Sequence, residues 1–295
     1  MRLGDTEVVA TFAEAFTMWG ARIVVTAGSP AWAAHAGRSL TGFATSVIGC
    51  KCEAGIEREI APGETPDGRP GVSVLLFAMD REGVGKRLVE RVGQCVLTSP
   101  TAACFNGIDA EDTVDVGGQL RFFGDGYQAS KVLDGRRYWR VPVMEGEFLV
   151  QERFGVVEGV AGGNIIMLGR DAASALRAAE AAASAMRAVE GAIMPFPGGI
   201  ARSGSKVGSR YGSLPASTNH ALCPTLRGQV EDSEVPDGVE AVFEIVIDGL
   251  APEPVRDAMR RGLVAAAEAG ASHVTAGNYG GNLGPHHIHL RELMP

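Results

Sequence analysis

The chain has 295 residues, 45% of them hydrophobic and 21% charged, with a formal net charge of −8. Such a composition buries a large core, and without a basic tract it lacks the electrostatic footprint of a nucleic-acid binder. No run approaches the roughly 18 to 20 apolar residues that span a bilayer, and MRLGDTEVV carries neither the basic start nor the apolar core of a signal peptide, so a cytoplasmic protein with no membrane partner is expected. Five cysteines (Cys50, Cys52, Cys95, Cys104 and Cys223) are too few for a disulfide framework and read as reduced thiols, mostly buried.

The same strand, helix, strand order recurs four times along the chain. The first unit reads ARIVVTA, then SPAWAAHAGRSL as a helix with Ser29 as N-cap and Pro30 in its first turn, then GFATSVIGC as a second run ending in the loop CKCEAG. The second starts at GVSVLLFAM, apolar on both faces as a buried strand is, continues through a helix near EGVGKRLVERVGQ, and returns through CVLTS to the loop PTAACFNG. From about 113 to 160 lie the alternating runs QLRFFGDGY, KVLDGRRYWRVPV and GEFLVQE, with a hairpin turn at Asp134 and Gly135.

The third unit begins GGNIIMLG, has its helix from the N-cap Asp171 to about Glu190, and returns as AIMPF into the loop PGGIARSGSKVGS. The fourth reads VEAVFEIVIDG, a helix near PEPVRDAMRRGLVAAAEAG, SHVTA, and the loop GNYGGNLGPHH. Two such units in succession give the β-α-β-β-α-β order of a ferredoxin-like split sandwich. The expected fold is therefore α/β (α+β): two ferredoxin-like lobes, residues 1–150 and 151–295, the first carrying a β-rich connecting segment.

Short motifs alone leave the function open. GGIARSGSKVG resembles a phosphate loop, but a serine separates Gly204 from Lys206 and valine follows the lysine, so the nucleotide-binding pattern fails. Its glycines, with Ser203, Ser205 and Lys206, suit a polar ligand; a tight surface loop explains them too. Cys50 and Cys52 with His286, His287 and His289 are soft donors of the kind zinc prefers, without the usual spacing, and buried loop thiols account for the cysteines equally well. Glu244 interrupts the apolar run AVFEIVIDG. Valines flank it on its own strand face, so it reads as a buried or cleft carboxylate, a functional candidate because desolvation raises its pKa.

Longer blocks are more specific. TFAEAFTMWGARIVVTA, TGFATSVIGCKCEAGIERE, TPDGRPGVSVLLF, RVGQCVLTSPTA, FFGDGY, GVVEGVAGGN, PFPGGIARSGSKVGS and GNYGGNLGPH, in this order, resemble the formylmethanofuran:tetrahydromethanopterin formyltransferase family from about residue 5 onward. The resemblance implies two ferredoxin-like lobes per subunit, a homotetramer or other homo-oligomer, and no metal or tightly bound cofactor, with methanofuran and tetrahydromethanopterin as co-substrates. It also implies that the acid of the EIVI strand, Glu244 here, is catalytic.

Residue types suggest Arg202, Ser203, Ser205, Lys206, Asn278, Tyr279 and Arg69 as carrier-binding groups, and backbone amides of the glycine-rich loops as donors to a developing oxyanion. With 23 Arg against 4 Lys and alanine-rich helices, the composition resembles that of a mesophilic bacterium. In methylotrophs the family works inside a formyltransferase/hydrolase complex that oxidises formaldehyde toward formate. Alternative readings are a zinc-dependent deformylating hydrolase and a non-catalytic scaffold subunit of that complex.

Overall fold

The computed structural model describes residues 1–295, which form two compact units. One holds residues 18–159; the other joins residues 1–17 to 160–295. The strand β1 (Phe12–Thr26) supplies its first six residues to the latter unit and the rest to the former.

In the unit of residues 18–159, β1 is followed by α1 (Pro30–Thr41), β2 (Glu53–Ile60), β3 (Gly71–Ala78), α2 (Arg81–Arg91) and β4 (Ala103–Asn106). β1 pairs antiparallel with both β3 and β4, and β2 pairs with β3, giving the order β4-β1-β3-β2. This is the split sandwich expected. The Ser29 hydroxyl accepts from the Trp32 N–H, as an N-cap with Pro30 at the first helical position requires.

Two return strands lie later in the chain than the sequence suggests. GFATSVIGC is not extended: Ser46 caps a single helical turn, Val47–Cys50, and Lys51 closes it in the left-handed region, so the strand begins only at Glu53. CVLTS continues the helix as a π turn, Val92–Val96, because its valines at both ends are fully buried in the helix-side core, and the strand starts at Ala103. The connecting segment contains the hairpin β5 (Ala129–Leu133) and β6 (Arg136–Val143), turning at Asp134 and Gly135 in the left-handed region, and then β7 (Gly146–Gln151). QLRFFGDGY, by contrast, coils into short helical turns over Gly117–Leu120 and Arg121–Gly124.

The other unit repeats the plan. β8 (Val157–Gly169), α3 (Ala172–Met186), β9 (Ala192–Ile193), β10 (Ala241–Gly249), α4 (Pro252–Glu268) and β11 (His273–Thr275) follow in sequence. β8 pairs antiparallel with β10 and β11, and β9 pairs with β10, so the order β11-β8-β10-β9 matches that of the first unit. Residues 1–17, which the sequence reading assigns to the first lobe, extend this second sheet: Thr6–Val8 lies parallel to β11, and Phe12–Ala15 pairs antiparallel with β12 (His286–His289).

Small side chains set the packing of this unit. α3 buries Ala175, Ala178, Ala179, Ala182 and Ala183, and α4 places Gly262 where any added Cβ would meet the Met186 side chain, so the two helices approach closely over Ile165, Ile245 and Ile247. The Asp171 carboxylate accepts from the Ser174 N–H at 2.7 Å while the Ser174 hydroxyl bonds back to the cap, closing a capping box. An Asp171→Ala variant is expected to lose about 1 kcal/mol, read as a lowered midpoint in urea unfolding with unchanged slope.

Candidate active site

Neighbouring residues of a strand point to opposite faces. On β10, Ile245 and Ile247 face the helices and are fully buried, while Val242, Glu244, Val246 and Asp248 face the other way. That second face is covered by the insertion 194–240, which joins β9 to β10. Leu222, Val235 and Val239 of the insertion form an apolar cluster there with Ile166, Leu168 and Val242.

Glu244 stands at the edge of this cover, opposite Ile166 in the ladder. Its side chain keeps some solvent-accessible surface yet is densely surrounded by protein, and desolvation pushes its pKa up to about 7. The loop PGGIARSG is fastened to the same point: Ala201 and Glu244 exchange backbone hydrogen bonds of 2.8 and 3.0 Å. Gly198, Gly199 and Gly204 all lie at positive φ, which explains why this turn is written in glycine.

Beyond Ala201 the loop divides its candidates. Arg202 and Ser203 line a cavity of about 640 Å3 with Arg187, Phe196, Ile200 and Phe243. Phe243 is on the helix side of β10, and Glu244 does not line this cavity. Ser205 and Lys206 belong to a short hairpin, Ser205–Val207 against Ala216–Thr218. The hairpin is tied to the last glycine-rich loop, because the Val207 N–H donates to the Tyr279 hydroxyl at 3.1 Å. Burial raises the phenol's pKa, and the Glu244 and Glu14 carboxylates raise it further, which puts Tyr279 within electrostatic reach of both.

Asn278 is spent on protein partners. Its amide donates to the Thr11 hydroxyl and the Phe12 carbonyl while its oxygen accepts from the Gly280 N–H. Arg69 lies in the unit of residues 18–159, where its guanidinium bonds Asp67, the Thr26 hydroxyl and the Thr101 carbonyl. Cys50 and Cys52 are in that unit too, whereas His286 bonds Thr17 and His287 bonds the Gly284 carbonyl. No set of three or more His, Cys, Asp or Glu side chains is arranged to hold a metal ion.

Three polar groups that sequence reasoning passed over shape this region. Asp248, fully buried, accepts from the Gly162 N–H at 3.1 Å. Asn164 clamps Gly277, accepting its N–H at 2.6 Å and donating to its carbonyl at 3.2 Å. Glu14, only 3% exposed, accepts from the N–H groups of Tyr279, Gly281, Leu283 and Gly284. The criterion that singles out Glu244, an acid inside an apolar strand, applies equally to Glu14 in TFAEAFTM. The backbone amides expected to serve an oxyanion are, in this loop, directed at Glu14 instead.

A protein of two split sandwiches, one presenting a desolvated acid beneath glycine-rich loops, fits the class of two-lobed transferases whose family models match it: "FTR, proximal lobe" over residues 146–293, and "Formylmethanofuran-tetrahydromethanopterin formyltransferase" over residues 1–143. The chain belongs to the formylmethanofuran–tetrahydromethanopterin formyltransferase family. It is 56% identical over 298 residues to the enzyme of that name from Methylococcus capsulatus, with 100% of both chains covered. To a component of the formyltransferase/hydrolase complex of Methylorubrum extorquens it is 52% identical over 302 residues, covering 99% of this chain and 97% of that one.

Two solved structures share the fold. A chain of the Methylorubrum extorquens formyltransferase/hydrolase complex, crystallised with methylofuran, superposes with a TM-score of 0.96 at 51% identity, covering 99% of this chain and 98% of that one. The formyltransferase of Methanosarcina barkeri gives 0.94 at 47% identity, covering 99% and 100%.

Proposed function

We propose that the protein transfers a formyl group between formylmethanofuran and tetrahydromethanopterin, with Glu244 as the general base. The observation that carries the residue assignment is the carboxyl of Glu244, desolvated to a pKa of about 7 at the point where the loop PGGIARSG is fastened to β10. A base poised near neutrality is what amine acylation requires. The attacking amine nitrogen bonds to the formamide carbon, giving a tetrahedral intermediate with charge on oxygen. Glu244 takes the proton released by that nitrogen and returns it to the leaving amine as the old carbon–nitrogen bond breaks. Holding both carriers in register supplies the rest, since effective molarity contributes on the order of 7 to 11 kcal/mol.

Arg202, Ser203, Ser205 and Lys206, on the segment that follows the Ala201–Glu244 pairing, and Tyr279, bonded to Val207 of that segment, are assigned to carrier binding, the cations to anionic tails. Arg69 and Asn278 remain weaker candidates because their polar atoms already have protein partners. Arg202→Ala and Lys206→Ala are each expected to raise KM for one carrier on the order of 10-fold while kcat changes little, as loss of an interaction made equally in ground and transition states does. Steady-state kinetics with each carrier varied in turn checks this.

Similarity to a component of the Methylorubrum extorquens formyltransferase/hydrolase complex supports a place beside hydrolase partner subunits. Transfer from the pterin to the methanofuran-type carrier, in formaldehyde oxidation, and assembly as a homo-oligomer, a homotetramer in the family pattern, are what the family resemblance implies. Formyl exchange by the purified chain, with and without chelator, tests the assignment. Rapid, chelator-resistant transfer supports it. Chelator-sensitive, zinc-restored release of free formate in place of transfer turns the reading to the metal-dependent hydrolase, and no transfer without partner chains turns it to the scaffold.

A further inference from the structure

Glu14 is a buried carboxylate that the reaction above does not use. Its Oε2 accepts from the N–H groups of Tyr279 at 2.7 Å and Gly281 at 3.0 Å, and its Oε1 from Gly284 at 2.9 Å and from Leu283. Burial alone would raise its pKa, but the four backbone donors outweigh that and hold the carboxyl below the usual range. Successive amides curled toward one anion form the concavity that elsewhere receives a phosphate or carboxylate ligand. Here the anion is a side chain of the protein.

The loop 277–284 is thereby fixed on three sides: by Glu14, by Asn164 on Gly277, and by Asn278 on Thr11 and Phe12. Tyr279 has its backbone N–H on Glu14 and its hydroxyl on Val207, in the hairpin that continues the segment paired with Glu244. Hydrogen bonds therefore lead from Glu14 to Tyr279 and from Tyr279 to Val207, and the chain itself then runs back from Val207 to Ala201, which bonds Glu244.

We infer that Glu14 is a positioning residue for the transfer: its carboxylate shapes the loop 277–284 so that Tyr279 docks on the Ser205–Val207 segment and fixes the carrier-facing side of Glu244. The inference rests on the reading of Glu244 as the base. Glu14→Gln retains size and one acceptor oxygen but turns an NH2 group toward two of the four donors.

The test is a double-mutant cycle of Glu14→Gln and Tyr279→Phe on formyl transfer, with amide exchange at residues 279–284 and a pH profile for each enzyme. Each single variant is expected to lower kcat/KM on the order of 10- to 100-fold, as small misplacements do. The double variant should be no slower than the slower single, the rate limb near pH 7 should persist, and amide protection in the loop should fall in Glu14→Gln.

Multiplying effects, or a wild-type rate in Glu14→Gln, overturn the proposal. Should Glu14→Gln not fold, Glu14→Asp, which retains the charge but falls one methylene short, takes its place in the same cycle with the same criteria. Undiminished transfer by Glu244→Gln would instead remove the base assignment, a result separable from the coupling between Glu14 and Tyr279.

Discussion

A Glu244→Gln enzyme should transfer formyl groups on the order of 10²- to 10⁴-fold more slowly than the wild type, the range over which a positioned acid–base group contributes. In the wild type, kcat/KM should rise with pH and level off above about 7, where the carboxyl has lost its proton. The variant should show no such limb. Stability should move in the opposite sense to activity. The folded-state pKa is raised from an ordinary value of 4.5, so the stability this group contributes is fully present below pH 4.5 and is lost as pH rises through 7. Ionising Glu244 thus costs the native state up to about 3 kcal/mol at pH 8, an upper figure because the group retains contact with water. Glutamine cannot ionise, and the variant should melt higher than the wild type at pH 8 and close to it at pH 4. Equal melting temperatures at pH 8, with activity retained, would reduce Glu244 to an ordinary strand carboxylate.

The second large effect belongs to Gly284. A Cβ at this position would lie 2.2 Å from the Ala15 carbonyl oxygen, a backbone atom that cannot rotate away. The same residue donates its N–H to Glu14. Gly284→Ala should therefore separate the loop from the strand, lowering stability by at least about 2 to 3 kcal/mol and reducing transfer through the displaced Tyr279. Chemical denaturation together with an activity measurement at 25 °C checks both. Gly280→Ala is a matched control for crowding, since only the Asn282 amide lies near its Cβ; that glycine is at positive φ, so it should show a smaller loss of about 1 kcal/mol.

Much of this was readable from residues alone, for identifiable reasons. The fourfold strand and helix order, the caps Ser29 and Asp171, and the two-faced alternation of β10 all follow from local periodicity and capping chemistry, which the chain obeys closely. The two displaced return strands show the limit. GFATSVIGC and CVLTS have β-rich composition, but Ser46 and the buried ends of Val92–Val96 favour helical turns there, and the tertiary environment overrides propensity. Glu244 was legible as an acid in an apolar run. Glu14 carried the same signal, but its partners lie more than 260 positions later in the chain, and no local pattern discloses them.

That long separation, shared by the pairing of Phe12–Ala15 with His286–His289, has a consequence for how the molecule is made. Glu7–Val8 and Phe12–Ala15 leave the ribosome early, yet their partners His273–Val274 and His286–His289 emerge only in the last quarter of the chain. The unit of residues 18–159 is contiguous and can close during synthesis, while the unit that holds Glu244 waits for the late partners of its leading segment. Its assembly should be slow, as sheets of high contact order tend to be, and a tag or fusion placed ahead of residue 2 should weigh on the lobe that holds Glu244 rather than on the one it adjoins in sequence.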